Sequence, residues 1–246
     1  MQTLTLIGIG TGQLDHLTGQ ARAAIQNADL ILIPHKGADK ADLAHLRERI
    51  VTALRPDDPC TARFDMPVRD PDIPYLDRVE HWHDQIAEAW AHTIAQHPTA
   101  EHVALLVWGD PSLYDSTLRI AARLDPPPKI KVIAGITSLQ LLTAAHAIPL
   151  NTVGGPVTIT TGRQLRDHGW PEGAETVAVM LDGSCAFQSL DPTGLHISWG
   201  GYLGMENELL MSGPVADITD QILAARAAAK VEHGWIMDIY LLRRTS

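Results

Sequence analysis

Cysteine is nearly absent. The chain of 246 residues has only Cys60 and Cys185, which excludes a disulfide framework and falls short of the four-ligand sets of structural zinc sites. A reducing compartment, the cytoplasm, is expected. Cations are outnumbered, 19 Lys and Arg against 29 Asp and Glu for a net charge of −10, so a broad phosphate-neutralising face for nucleic acid is excluded. Any anionic ligand must meet a local cluster of positive charge. No apolar run approaches the roughly 18 to 20 residues that span a bilayer, so no membrane partner is expected. The opening Met1-Gln2-Thr3 runs into a strand-like segment with no basic leader, as in an untargeted soluble protein.

Several catalytic signatures are also missing. Among twelve histidines there is no H-E-x-x-H, and the densest pair, His81 and His83, stands two apart. Positions two apart on a helix point to different sides, so this pair does not chelate. No metal is expected. There is no G-x-S-x-G nucleophile elbow either. What remains is ordinary globular composition, 45% hydrophobic and 20% charged, with length for one large domain or two small ones.

Periodicity predicts an α/β fold. Leu4–Ile9 forms a buried strand, Gly8–Gly12 a turn, Leu17–Asn27 a helix and Leu30–Ile33 a second strand. Such a unit implies a parallel sheet whose ligand site lies at the strand C-termini. Helices follow at Asp42–Ala53 and Asp77–Gln96. The second carries Glu80, Asp84 and Glu88 as a solvent-facing stripe. The Pro- and Asp-rich segment Arg55–Pro74 between them receives no assignment. Strands are expected at Val103–Val107 and Ile130–Ile133, and a helix at Leu139–Ala147. Later strands are expected at Val157–Thr161, Val177–Leu181, His196–Trp199 and Ile236–Leu242, with a helix at Val215–His233. The stretch after Ser116 resembles a second α/β unit, giving expected domains of 1–116 and 117–246.

Three glycine turns close three of these strands: Gly8-Ile9-Gly10-Thr11-Gly12, Trp108-Gly109-Asp110-Pro111 and Gly135-Ile136-Thr137-Ser138. In a parallel sheet they converge on one edge, which favours a shared ligand site. A dinucleotide reading fails twice. The spacing is G-x-G-x-G rather than G-x-G-x-x-G, and Asp29, at the expected distance for the ribose, precedes the second strand instead of following it. Asp110 has two open roles, ligand acceptor or helix cap.

Together with His16-Leu17-Thr18, Ser112-Leu113-Tyr114 and Val132-Ile133-Ala134, these turns resemble the three motifs of the tetrapyrrole methylases, in order and spacing. The later pieces Thr160-Thr161-Gly162-Arg163 and Val177-Ala178-Val179-Met180-Leu181 extend the likeness over nearly the whole chain. Asp115 departs from the glycine usual after the tyrosine, and Ala134 from the usual proline. The resemblance implies a kidney-shaped pair of α/β domains with S-adenosylmethionine in the interdomain cleft, and a homodimer. It implies cofactor contacts at Gly10, Trp108, Gly109, Asp110, Leu113, Thr137, Ser138, Leu181 and Ser198. The segments Ile33-Pro34-His35-Lys36-Gly37, Pro67-Val68-Arg69-Asp70, Trp82-His83 and His233-Gly234-Trp235-Ile236-Met237-Asp238 narrow it to a member of aerobic cobalamin biosynthesis. The implied substrate is the anionic tetrapyrrole precorrin-5, methylated at C1 with loss of acetate to give precorrin-6A, with transient contact to neighbouring pathway enzymes.

The sulfonium methyl is already activated, so alignment and exclusion of water carry methyl transfer, and alignment alone supplies roughly 7 to 11 kcal/mol. Acetyl loss further calls for a base and an oxyanion donor. His35 is the candidate base and Lys36 the candidate cation, with Asp110 and Tyr114 as further catalytic candidates. Arg63, Arg69 and Arg78, or Arg163 and Arg166, are candidates for the substrate carboxylates. Two alternatives stay open: a methylase of the same fold acting on another precorrin or a protein, and a non-catalytic tetrapyrrole-binding protein.

Overall fold

A computed structural model describes residues 1–35, 41–70, 72 and 74–245, and the side chains at 41–44, 75 and 76 are outside the description. The chain forms two compact units, Met1–Thr137 and Ser138–Ser246.

In the first unit the strands are β1 (Thr3–Gly8), β2 (Leu30–His35), β3 (Thr61–Asp65), β4 (His102–Val107) and β5 (Lys129–Ile133), in the order β3-β2-β4-β1-β5. Every pairing is parallel. Strands β1, β2 and β4 are largely buried on both faces, which is why they are continuous apolar runs. Leu4, Leu6, Leu30, Leu32, Val103 and Leu105 pack on one face against α3 (Tyr75–Ala95) and α4 (Thr117–Ala121). Ile7, Ile31, Ile33, Ala104 and Leu106 pack on the other against α1 (Gly19–Gln26) and α2 (Ala41–Leu54). The period-two alternation of side chains assigns each residue to its face.

Asp29 lies at the entry of β2, where its Oδ2 accepts the N–H groups of Glu101 at 3.0 Å and His102 at 2.8 Å. The His102 bond chiefly holds its pKa below the ordinary value. It ties the start of β4, at the edge opposite the glycine turns. Glu80 and Asp84 lie on the exposed face of α3 as expected, and both pair with Arg123.

The second unit holds β6 (Val157–Thr161), β7 (Thr176–Met180), β8 (Leu195–Gly201), β9 (Leu209–Pro214) and β10 (Asp238–Arg244), in the order β6-β7-β10-β8-β9. Only β6 and β7 run parallel; the remaining pairings are antiparallel. One face packs on α6 (Gly162–His168) and α7 (Val215–His233) through Leu165, Val179, Trp199, Val215, Ile222 and Tyr240. The other receives α5 (Ser138–Ala145) against β8 and β10. No helix among the described residues is long and apolar enough to cross a membrane.

One expectation needs correction, and two strands had gone unassigned. The units divide after Thr137 rather than after Ser116, because β5 pairs with β1 and so belongs to the first sheet. The unassigned segment contains β3, a five-residue edge strand with only Phe64 buried. Strand β9 had no assignment either: its alternation is between half-buried and exposed residues, at the other sheet's edge.

Candidate functional site: three glycine turns and a cavity at one sheet edge

Strands β4, β1 and β5 are neighbours, so their C-terminal turns meet. Gly10 and Gly109 exchange backbone hydrogen bonds, Gly10 N to Gly109 O at 3.3 Å and Gly109 N to Gly10 O at 2.8 Å. Gly135 N donates to Asp110 Oδ2 at 2.8 Å. A Cβ at Gly135 would sit 2.0 Å from Gly109 O, and one at Gly8 would sit 2.5 Å from Gly135 N. Backbone therefore lies directly on backbone there. Gly109 differs: it has φ +59°, and the nearest atom to an added Cβ is Thr137 Cα at 4.0 Å. Its bare side is open, as a ligand bound through main-chain groups requires.

Asp110 is fully engaged. Its Oδ1 accepts the Ser112 N–H at 2.8 Å and the Ser112 hydroxyl, while Oδ2 ties the third turn. Burial alone would raise its pKa, but the bonds from Ser112 and Gly135 outweigh burial and hold it below the ordinary value. Such a carboxylate is a poor proton acceptor at neutral pH. Its chemistry suits fastening two turns together.

Of the expected cofactor contacts, Gly10, Gly109, Asp110 and Thr137 share this cluster. Leu113 follows in the same loop, its N–H donating to Asp110 O at 3.2 Å. Trp108 follows β4 directly, with Gly12 against its ring. Ser138 begins α5 in the second unit. Also in that unit, Leu181 leaves β7 with φ +52° and is 67% exposed. Ser198 lies mid-strand, buried, its hydroxyl 3.1 Å from that of Ser212.

The corner after Leu181 is set by a buried polar network. Asp182 accepts Ser184 N at 2.9 Å, Ala186 N at 2.6 Å and Tyr240 OH at 2.6 Å. Burial opposes its ionisation, but Tyr240 and the backbone donors prevail and lower its pKa. Arg226 donates to Asp182 O at 2.6 Å and forks onto Asp238 at 2.6 and 3.0 Å, and Trp199 donates to the same carboxylate at 2.8 Å. Buried charges persist when paired in this way. Sequence reasoning missed all of these residues, because 44 positions separate Asp182 from Arg226 and no local pattern marks the pair.

His35 is the last residue of β2 and lies beside Asp65, the last of β3, in direct register. The ring Nδ1 is 3.1 Å from Asp65 Oδ1. A carboxylate only accepts, so Nδ1 is the donor across this pair. Asp65 was not among the candidates. Its only signal is a strand too polar to recognise. Lys36 lies outside the described residues.

A cavity of about 290 Å³ caps the ends of β2, β3 and β4; its wall includes Pro34, Arg47, Trp82, Trp108, Tyr114 and Asp115. Tyr114 has φ +50° and a pKa raised by burial, so its hydroxyl stays protonated. His35 and Asp65 are not among the described lining residues: alternation turns them to the α2 side, opposite Pro34 and Phe64. His83 is buried on α3 and His81 is exposed, so they point apart as their spacing requires. Among the described residues no three His, Cys, Asp or Glu side chains gather as a metal site.

The profile of the Tetrapyrrole (Corrin/Porphyrin) Methylases matches residues 3–219. The chain belongs to that family. Within it, the chain is 46% identical over 251 residues to the Precorrin-6A synthase [deacetylating] of Sinorhizobium sp, covering 99% of this chain and 96% of that protein. A protein from Corynebacterium diphtheriae described as cobalamin synthesis related has a similar crystal structure. Its TM-score is 0.84 at 38% identity, with complete coverage of both chains. The fold also matches uroporphyrin-III C-methyl transferase from Thermus thermophilus complexed with S-adenosyl homocysteine, TM-score 0.62 at 16% identity, over 98% of this chain and 97% of that one.

Proposed function

We propose that this chain is an S-adenosylmethionine-dependent C-methyltransferase that converts precorrin-5 to precorrin-6A, methylating C1 and releasing acetate, in cobalamin biosynthesis. The observation that carries this reading is the full-length likeness to the Sinorhizobium precorrin-6A synthase. The edge at Gly10, Gly109 and Thr137 fits the cofactor, since it offers main-chain groups with an open approach at Gly109. When bound, S-adenosylmethionine supplies an electrophilic methyl group. Leu181 and Ser198 enter the proposal from the resemblance alone, as do the homodimer and the cytoplasmic location.

The protein's part in acetyl loss is proton handling and charge stabilisation. His35 Nε2 takes a proton from the water that adds to the acetyl carbonyl, while Asp65 holds Nδ1–H and so the ring. The bond from C1 to the acetyl carbon then breaks, acetate departs, and the electron pair passes into the macrocycle. Lys36, by its place after β2, is the proposed partner of the developing oxyanion. Asp110 keeps the turns in register.

The test is one incubation of the purified protein with methyl-labelled S-adenosylmethionine and freshly generated precorrin-5, following label in the pigment and free acetate together. Both are expected. Neither appearing, with cofactor binding intact and a known enzyme turning over the same substrate, rejects the assignment and returns the non-catalytic reading.

A further inference from the structure

The cavity over β2, β3 and β4 has an unusual balance of hydrogen-bonding groups. Among the described residues two guanidinium groups belong to its wall, those of Arg47 and Arg69, against a single carboxylate, Asp115. This is local positive charge in a chain of net charge −10. Arg47 reaches in from α2, its Nε donating to Leu106 O at 2.9 Å and its guanidinium 5.1 Å from the Trp108 ring centre. Burial pulls its pKa down to about 10, with only partial compensation from Asp115. Asp115 also accepts the Thr117 N–H at 2.6 Å, at the start of α4.

Arg69 is exposed and its guanidinium carbon lies over Trp82, 4.1 Å from the ring centre. It makes no ion pair among the described residues, whereas Arg63 pairs with Glu48 and Arg166 with Asp167. Contact with the indole preorganises the guanidinium fork at little entropic cost. Two further donors belong to lining residues. The indole N–H groups of Trp90 and Trp108 are buried and have no acceptor among the described residues. Native proteins rarely leave such donors unpaired.

Two guanidinium groups at one small cavity call for an anion with several acceptor lone pairs. We propose that this cavity is a carboxylate-binding site, with Arg69 as the gripping group and Arg47 as the charge at its base. This deepens the reading given above and rests on it for the ligand's source. The carboxylate is either an acetate or propionate arm of the tetrapyrrole or the acetate released from it. A guanidinium accepts either in bidentate fashion.

The test separates the site from the reaction. The indole ¹H–¹⁵N signals of Trp90 and Trp108, assigned with Trp90→Phe and Trp108→Phe, are followed while the protein is titrated with sodium propionate, and with sodium chloride as control. Both signals are expected to move with propionate and stay with chloride, and Arg69→Ala is expected to weaken propionate binding about tenfold. Arg69→Gln keeps the stem over Trp82 and should weaken it as well. Signals that ignore propionate, that follow chloride equally, or that respond in both Arg69 variants as in the wild type overturn the proposal.

Turnover then distinguishes the sources. If the ligand is a substrate arm, Arg69→Ala raises KM for precorrin-5 about tenfold and leaves kcat within about twofold. If it is released acetate, added acetate inhibits the wild type, and Arg69→Ala relieves that inhibition with KM unchanged. Neither effect, in an active enzyme, overturns the proposal. Because the titration needs no turnover, indole shifts in a protein inactive on precorrin-5 would reject the enzymatic assignment while leaving the carboxylate site standing.

Discussion

Replacing Gly135 with alanine should cost the first unit several kcal/mol, whereas the same replacement at Gly109 should spare the fold and block the ligand. At Gly135 the new Cβ meets Gly109 O at 2.0 Å and the Gly8 backbone at 2.8 Å. No side chain can rotate away, so the turns must separate. Separation breaks the two Gly10–Gly109 bonds and the bond from Gly135 N to Asp110, each worth about 1 kcal/mol. Overpacking adds about 1 to 3 kcal/mol. The sum, about 4 to 6 kcal/mol, is a large part of a typical domain stability of about 5 to 15 kcal/mol. At Gly109 the only expected cost is the left-handed conformation, about 1 to 2 kcal/mol, because nothing lies closer than Thr137 Cα at 4.0 Å. Its Cβ instead occupies the open approach, and affinity for S-adenosylhomocysteine should fall by at least about tenfold. Urea denaturation and calorimetric titration of both variants check this. A Gly135→Ala protein with the wild-type midpoint, or a Gly109→Ala protein with unchanged affinity, would refute the reasoning.

His35→Ala should slow acetate release about a hundredfold, as for loss of a general base, and Asp65→Asn should slow it less; measuring acetate and label separately tells this from a general loss of fold. Asp182→Asn places an amide donor among Ser184, Ala186 and Tyr240, which all donate to the carboxylate, and should destabilise the second unit by about 2 to 4 kcal/mol on denaturation. Asp29, Asp110 and Asp182 all have pKa values lowered below 3.8 in the folded protein. Their contribution to stability is complete above that unfolded value and is lost as the pH falls through the lower folded values. Stability should therefore hold from neutral pH to about 5 and collapse in stronger acid, and Asp182→Asn should flatten that collapse.

Two of the four edge strands show why part of the fold was illegible. Strands β1, β2 and β4 are buried on both faces, so their apolar runs stood out from the sequence and their ends fell within a few residues of expectation. Strands β3 and β9 lie at edges, half exposed, and carry no comparable pattern. The domain break was misplaced for a related reason. Nothing local in Lys129–Ile133 says that it pairs with β1, 126 positions away along the chain at Thr3 and Lys129.

The candidate site divides in the same way. Glycine turns are local, since a positive φ or a backbone contact is written in one or two residues, and all three turns with Gly10, Gly109 and Asp110 were legible in the chain itself. Their convergence followed from parallel-sheet geometry. Asp65 beside His35, Arg226 beside Asp182, and Arg47 with Arg69 at one cavity were not legible, because each pairing depends on register and packing between distant segments. Sequence alone thus determined the fold class, the family and the three glycine turns, which depend on local backbone chemistry and burial period. Only the tertiary structure decided which charges meet, because electrostatic partners are chosen by distance in space and leave no spacing in the chain.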